Sequence, residues 1–166
     1  MKDEQLKILK TLSEATSRMD LNKFAETIDL SPTQVVEQIQ NLTSKGYLRK
    51  VGTSIGLTEK GKNVLKTSIT LSGESAFHFY VDVEKPLGFC ARSLEEFYCL
   101  VRQVCSDSLG FHLYRGDFER WISEVVKDEA LAVEIGRLKE DNLEGEAIRK
   151  ELLKAIDTHF GLKDLL

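Results

Sequence analysis

His112, Arg115, Asp117 and Trp121 are the side chains whose types and spacing come nearest to chemistry. His112 and Arg115 stand three apart and share a face wherever the chain is helical, and Asp117 follows just beyond Gly116. Together they could hold an anion or an acidic metabolite, with Trp121 as an apolar wall. The alternative is structural: Asp117 caps a helix, Arg115 pairs with it or with another carboxylate, and His112 and Trp121 pack. The structural alternative is preferred, because short polar constellations more often belong to the scaffold than to a site. His78, Tyr80 and Asp82 alternate along one strand-like run; they line a cleft or meet solvent, and solvent is the expectation. His159 suits a helix end, where a ring able to carry charge complements the dipole. No HExxH, GxxxxGK[ST] or GxSxG pattern occurs, and Cys90, Cys99 and Cys105 lack metal-ligand spacing. The chain is therefore expected to be no enzyme, with no metal and no cofactor.

A second set of polar residues is better ordered. Ser31 reads as an N-cap, Pro32 fits the first helical position, and Gln34 completes a capping box with Ser31. Val35, Ile39 and Leu42 follow at helical spacing, with Val36 at the stripe's edge, and Lys45-Gly46 ends the helix. The opposite face then carries Thr33, Glu37, Gln40, Asn41 and Ser44. These groups donate and accept hydrogen bonds with little charge, which suits reading base edges. Just upstream, Asp20 can cap a short helix with Leu21, Phe24, Ala25 and Ile28, and Asp29-Leu30 leaves only a tight turn before Ser31. Downstream, Tyr47–Val51 is β-prone, Gly52–Gly56 reads as a turn and Leu57-Thr58 as a returning strand. Lys45, Arg49, Lys50 and Lys60 are the cations nearest this face, and Thr53 and Ser54 sit at the expected hairpin tip.

The order helix, turn, helix, glycine, hairpin, and then Leu57-Thr58-Glu59-Lys60-Gly61, resembles the winged helix-turn-helix of prokaryotic transcriptional regulators, bacterial or archaeal. The resemblance covers roughly residues 2–69. It implies double-stranded DNA as partner, with Thr33, Glu37, Gln40, Asn41, Ser44, Lys45, Arg49, Lys50, Thr53 and Ser54 at the interface.

Charge is distributed accordingly. Residues 1–70 hold 11 Lys/Arg against 8 Asp/Glu, whereas residues 71–166 hold 12 against 19. An acidic second half would repel phosphate and should face away from nucleic acid. The start of the chain lacks an apolar signal region and no run is long enough for a membrane helix, so a cytoplasmic protein with no membrane partner is expected.

The expected architecture is mainly α with small β elements: a winged helix-turn-helix domain over 1–69, a linker over 70–75, and a mainly helical α+β domain over 76–166. The first helix is predicted over 2–16, with Leu6, Leu9, Leu12 and Ala15 inward and Ile8 beside them. A helix capped by Thr58 runs to about Lys66. In the second half, Phe77, Phe79, Val81 and Val83 alternate as a strand, and Pro86-Leu87-Gly88 reads as a turn. Ser93 with Glu96 opens a helix as a capping box, Gly116 ends another, and Asp117 and Asp128 cap the next two. A last helix carries Ile148, Leu152, Ala155, Ile156 and Phe160.

Gly88, Ala91, Ser93-Leu94, Glu96-Phe97, Phe111-His112, Arg115, Asp117-Phe118 and Trp121-Ile122 resemble an uncharacterised prokaryotic domain, and that resemblance implies no chemistry. The functional expectation is a DNA-binding transcriptional regulator whose acidic second domain senses a small-molecule effector or pairs subunits. The alternative is a winged-helix adaptor for protein contacts, supported by Glu37 on the reading face and a pI of about 5.5; an unrecognised enzyme comes third. A homodimer is expected, joined through the first helix at Ile8 or through Leu152, Leu153, Ile156, Phe160, Leu162, Leu165 and Leu166.

Overall fold

The computed structural model describes residues 3–15 and 19–164 and is mainly helical, with two small antiparallel sheets. The chain divides into two compact units, with the boundary between Lys66 and Thr67.

In the first unit, α1 (Asp3–Glu14), α2 (Leu21–Ile28) and α3 (Pro32–Ser44) precede a hairpin of β1 (Leu48–Val51) and β2 (Ser54–Leu57), and α4 (Glu59–Thr67) follows. The caps are local chemistry. The Asp20 carboxylate accepts the Lys23 N–H at 3.0 Å. Asp29 takes a left-handed conformation, and the Leu30 N–H returns to the Ala25 carbonyl, so α2 stops in a single turn. The Ser31–Gln34 box is complete, with the Ser31 N–H donating to Gln34 Oε1 at 2.9 Å. At the far end of α3, Gly46 is left-handed and the Tyr47 N–H reaches back to the Leu42 carbonyl.

The core gathers Ile8, Leu9, Phe24, Ala25, Ile28, Val35, Leu42, Tyr47, Leu48 and Val64. Ile8, expected beside the apolar stripe of α1, is at its centre with Leu9, whereas Leu6 and Leu12 are half-buried and Ala15 is exposed. The helix is rotated from the expected setting because Gln5, one turn before Ile8 and Leu9, has polar partners to reach on α3. Lys2 and Thr16, the expected ends of this helix, lie outside the described residues. The hairpin turn is tighter than expected: only Gly52-Thr53 separate the strands, and Ser54 already pairs with Val51. Thr58-Glu59-Lys60-Gly61 then locks α4 onto the end of α3. Thr58 Oγ1 accepts the Gly61 N–H and donates to the Gly46 carbonyl at 2.7 Å, and Lys60 Nζ lies 4.4 Å from the Tyr47 ring centroid while donating to the Lys45 carbonyl. Gly61 is buried, and a Cβ there would run into the Tyr47 carbonyl oxygen.

The second unit pairs β3 (Phe77–Asp82) with β4 (Lys85–Ala91) and surrounds them with α5 (Leu94–Val101), α6 (Ser106–Arg115), α7 (Asp117–Trp121), α8 (Glu129–Arg137) and α9 (Glu146–Phe160). Residues 70–75, expected as a linker, are tied into this unit: the Leu71 N–H donates to the Arg92 carbonyl, and the Trp121 indole N–H to that of Ser75. The hairpin turns at Val83-Glu84, where Glu84 is left-handed, and not at Pro86-Leu87-Gly88, which lie within β4. Asp82 sets this turn: its carboxylate accepts the Val83 N–H at 2.8 Å and pairs with Lys85 at 3.2 Å. Pro86 is tolerated because the register shifts beside its Tyr80 partner, so no ladder N–H is required there.

Ser93 caps α5 by accepting the Glu96 N–H, but Glu96 returns to the Arg92 N–H, so the expected box is only half formed. Asp128 caps α8 through the Leu131 N–H. A π-helical turn, Ile122–Val126, lies between α7 and α8. Arg149 on α9 clamps the end of α5, donating to the Val101 and Val104 carbonyls and pairing with Glu146.

Leu152, Ile156, Phe160 and Leu162 are buried in the second unit and Leu153 is half-buried. The apolar surplus expected to join two chains thus covers this unit's own core, as Ile8 does in the first. Leu165 and Leu166 lie outside the described residues.

Candidate functional site

Two groups of expected site residues are brought together, one in each unit. In the first, α3 buries Val35 and Leu42 and leaves Thr33, Glu37, Gln40, Asn41 and Ser44 exposed. Ser44 Oγ donates back to the Asn41 carbonyl at 2.8 Å, a local bond that leaves its lone pairs outward. Asn41 is engaged from behind: Gln5, 6% exposed, donates Nε2 to Gln38 Oε1 at 2.9 Å and to Asn41 Oδ1 at 3.3 Å. Neither Gln5 nor Gln38 had stood out in the sequence; a glutamine on the apolar side of α1 was the available signal. Lys45, Arg49 and Lys50 are exposed at the end of α3 and along β1, and Thr53 is at the hairpin tip. Lys60 is set apart, its ammonium held by Tyr47 and the Lys45 carbonyl.

In the second unit His112 and Asp117 meet, but as a latch. His112 is 3% exposed, and its Nε2 accepts the Tyr80 N–H at 2.8 Å. That acceptor role places the proton on Nδ1, which donates to Asp117 Oδ2 at 2.9 Å. Burial pushes the imidazole below its usual pKa, against the opposing pull of Asp117. The ring thus satisfies an N–H on the open edge of β3, where no third strand among the described residues does so. With both nitrogens engaged, it has no lone pair or proton to offer a substrate.

Asp117 is the first residue of α7, and its carboxylate does not cap that helix as expected. It is held by His112, by Arg115 Nε at 3.4 Å and by Arg120 Nη1 at 3.6 Å, which draw it away from the helix end. Arg115 also lies over Phe111, 4.8 Å from the ring centroid. A cleft of about 310 Å³ opens beside the latch, lined by His78, Tyr80, Asp82, Glu84, Phe111, Arg115 and Asp117 among others. His78 and Asp82 are exposed and Tyr80 is half-buried, so this face meets solvent as expected, and it also borders this cleft. Trp121 does not line it: its ring packs on Phe77 and Phe97 at 5.6 and 5.2 Å, inside an aromatic core. Asp82 and Asp117 already engage the neighbouring cations Lys85, Arg115 and Arg120, so an acidic metabolite would have to compete with the protein's own carboxylates for them.

Among the described residues no group of three or more His, Cys, Asp or Glu side chains could hold a metal ion, and no helix is long and apolar enough to cross a membrane. Cys90, Cys99 and Cys105 are free thiols, and burial pushes that of Cys99 up. Comparison with protein-family models, curated proteins and solved structures finds no match to this chain.

Proposed function

We propose that this chain is a DNA-binding transcriptional regulator, with the first unit a winged helix-turn-helix on double-stranded DNA and the acidic second unit a sensing or pairing module. The observation that carries the reading is the outer face of α3. Its Thr33, Glu37, Gln40 and Ser44 are uncovered, while the same helix is anchored on its other side by Val35 and Leu42. The exposed Arg49 and Lys50 on the adjoining β1 supply charge for phosphate, with Lys45, Thr53 and Ser54 nearby. On this reading α3 lies in the major groove and the hairpin tracks the backbone. A homodimer on two half-sites belongs to the proposal because one such unit reads few bases.

The test is duplex binding as a function of salt. The chain should lose affinity steeply as salt rises, and neutralising Arg49 and Lys50 together should flatten the log–log slope by about one to two units for any sequence. A double variant that binds like wild type at every salt concentration refutes the interface, and a chain without salt-dependent duplex binding refutes the function. Glu37 within the uncovered face supports a second reading, a docking surface for a basic protein partner, and the second result would favour it.

A further inference from the structure

We propose that Gln5 sets what Asn41 can read, holding its acceptor oxygen toward α1 so that it reads mainly as a donor and prefers guanine over adenine. The inference rests on the DNA-binding reading of α3.

The argument begins with a polar side chain in an apolar stripe. Gln5 lies one turn before the fully buried Ile8 and Leu9, where a polar amide is costly unless it is bonded. Both hydrogens of its Nε2 are used, one on Gln38 Oε1 and one on Asn41 Oδ1. Reading adenine bidentately requires an asparagine to accept from N6 through Oδ1 while donating to N7 through Nδ2. Gln5 takes one lone pair of that Oδ1 from inside the protein, which holds the oxygen toward α1 and away from a base edge. The Nδ2 hydrogens of Asn41 have no partner among the described residues, and the residue is exposed, so a donor is what it presents. An amide NH2 finds two adjacent acceptors on guanine, O6 and N7, whereas adenine sets its N7 acceptor beside the N6 donor, so guanine matches it best. Gln40, one residue earlier and also exposed, keeps both ends of its amide, so bidentate adenine reading falls to Gln40. The two neighbouring amides, alike in sequence, therefore read different edges because of one contact from α1.

The experiment is selection from a randomised duplex library, followed by titration of single-position variants, with wild type, Gln5→Met, Asn41→Ala, Gln5→Met/Asn41→Ala and Asn41→Asp. Methionine keeps the length and helix preference of glutamine and removes the donors. Wild type should favour guanine at one position. Gln5→Met should move that position toward adenine by about fivefold or more with the salt slope unchanged, since no cation is altered. Asn41→Ala should erase the preference there, and adding Gln5→Met should then change nothing further. Asn41→Asp, which keeps an oxygen for Gln5, should turn the preference toward a donor edge and so keeps the test available if Gln5→Met unfolds. A wild-type preference for adenine at the Asn41 position, or profiles unmoved by Gln5→Met and Asn41→Asp in protein that binds DNA with a normal salt slope, overturns this inference alone. Absence of any duplex binding by wild type overturns it together with the function it rests on.

Discussion

Replacing His112 by phenylalanine separates the latch from the packing around it. The ring would still fill the space among Phe77, Phe79 and Phe118, whose centroids lie 4.9, 6.0 and 5.5 Å from that of the imidazole. The Tyr80 N–H would lose its acceptor, which costs about 1–3 kcal/mol for a buried donor and tends to the lower value here because Tyr80 is half-buried. A carbon would also stand where Nδ1 now meets Asp117 at 2.9 Å, closer than carbon and oxygen tolerate, and local repacking adds about 1 kcal/mol. His112→Phe should therefore destabilise the second unit by about 2–4 kcal/mol. Asp117→Asn keeps an oxygen for Nδ1 and should lose only about 0.5–1.5 kcal/mol, because its arginine pairs are largely exposed and screened.

The latch also makes a pH prediction with a definite sign. The folded imidazole is held neutral, so the unfolded chain binds the proton more readily. Stability is full above the unfolded pKa, near 6.5, and falls as pH drops below it toward the lowered folded value. Urea unfolding followed by the fluorescence of Trp121, the single tryptophan, reports on this unit directly. Comparing wild type with His112→Phe at pH 7.5 and 5.5 isolates the histidine from other titrating groups. Equal stability of the two proteins, or a gap between them that does not narrow at the lower pH, would refute the neutral latch.

Two further outcomes are expected. Gly61→Ala should destabilise the first unit by about 1–2 kcal/mol, because overpacking against the fixed Tyr47 carbonyl outweighs the gain in helix preference; slower amide exchange at Leu42 in the variant would contradict it. Arg149→Met should cost about 2–3 kcal/mol in urea unfolding, since the Val101 and Val104 carbonyls lose charged donors, and Glu146→Gln much less because Glu146 is exposed; a loss under 0.5 kcal/mol for Arg149→Met would be a refutation.

What could be read from the sequence was what depends on neighbours in the chain. Asp20, Ser31-Gln34, Gly46, Ser93 and Asp128 cap or stop their helices as their local chemistry requires, and the mainly helical make-up with two small β elements follows from them. What could not be read depended on contacts distant in sequence. The setting of α1 turned on Gln5 meeting Gln38 and Asn41, more than thirty residues away. Asp117 looks like a cap until His112, Arg115 and Arg120 are seen to compete for it. Trp121 fits either a core or a pocket wall by sequence, and only its partners Phe77, Phe97 and Ser75 decide between them. Residue type points to a turn at Pro86-Leu87-Gly88, whereas Asp82 bonding the next N–H sets it at Val83-Glu84.

The junction of α7 with α8 constrains the order in which this protein can change. The Glu119 carboxylate, bonded to Lys139 at 2.6 Å, occupies the room that side chains at Gly116 and Gly136 would need. Gly136 lies within a helix, where alanine is normally better by about 1 kcal/mol, yet that alanine would push the carboxylate from its seat and give back part of the gain. Once position 119 is shortened, the same substitution becomes favourable outright. A lineage that loses Glu119 first can then straighten its helix preference at 136, and glutamate cannot afterwards return to its seat without penalty. Gly116 offers no such route, since its left-handed backbone at φ 74° resists a side chain whatever stands at 119. The easier order of changes is thus set by a carboxylate resting where two side chains are missing.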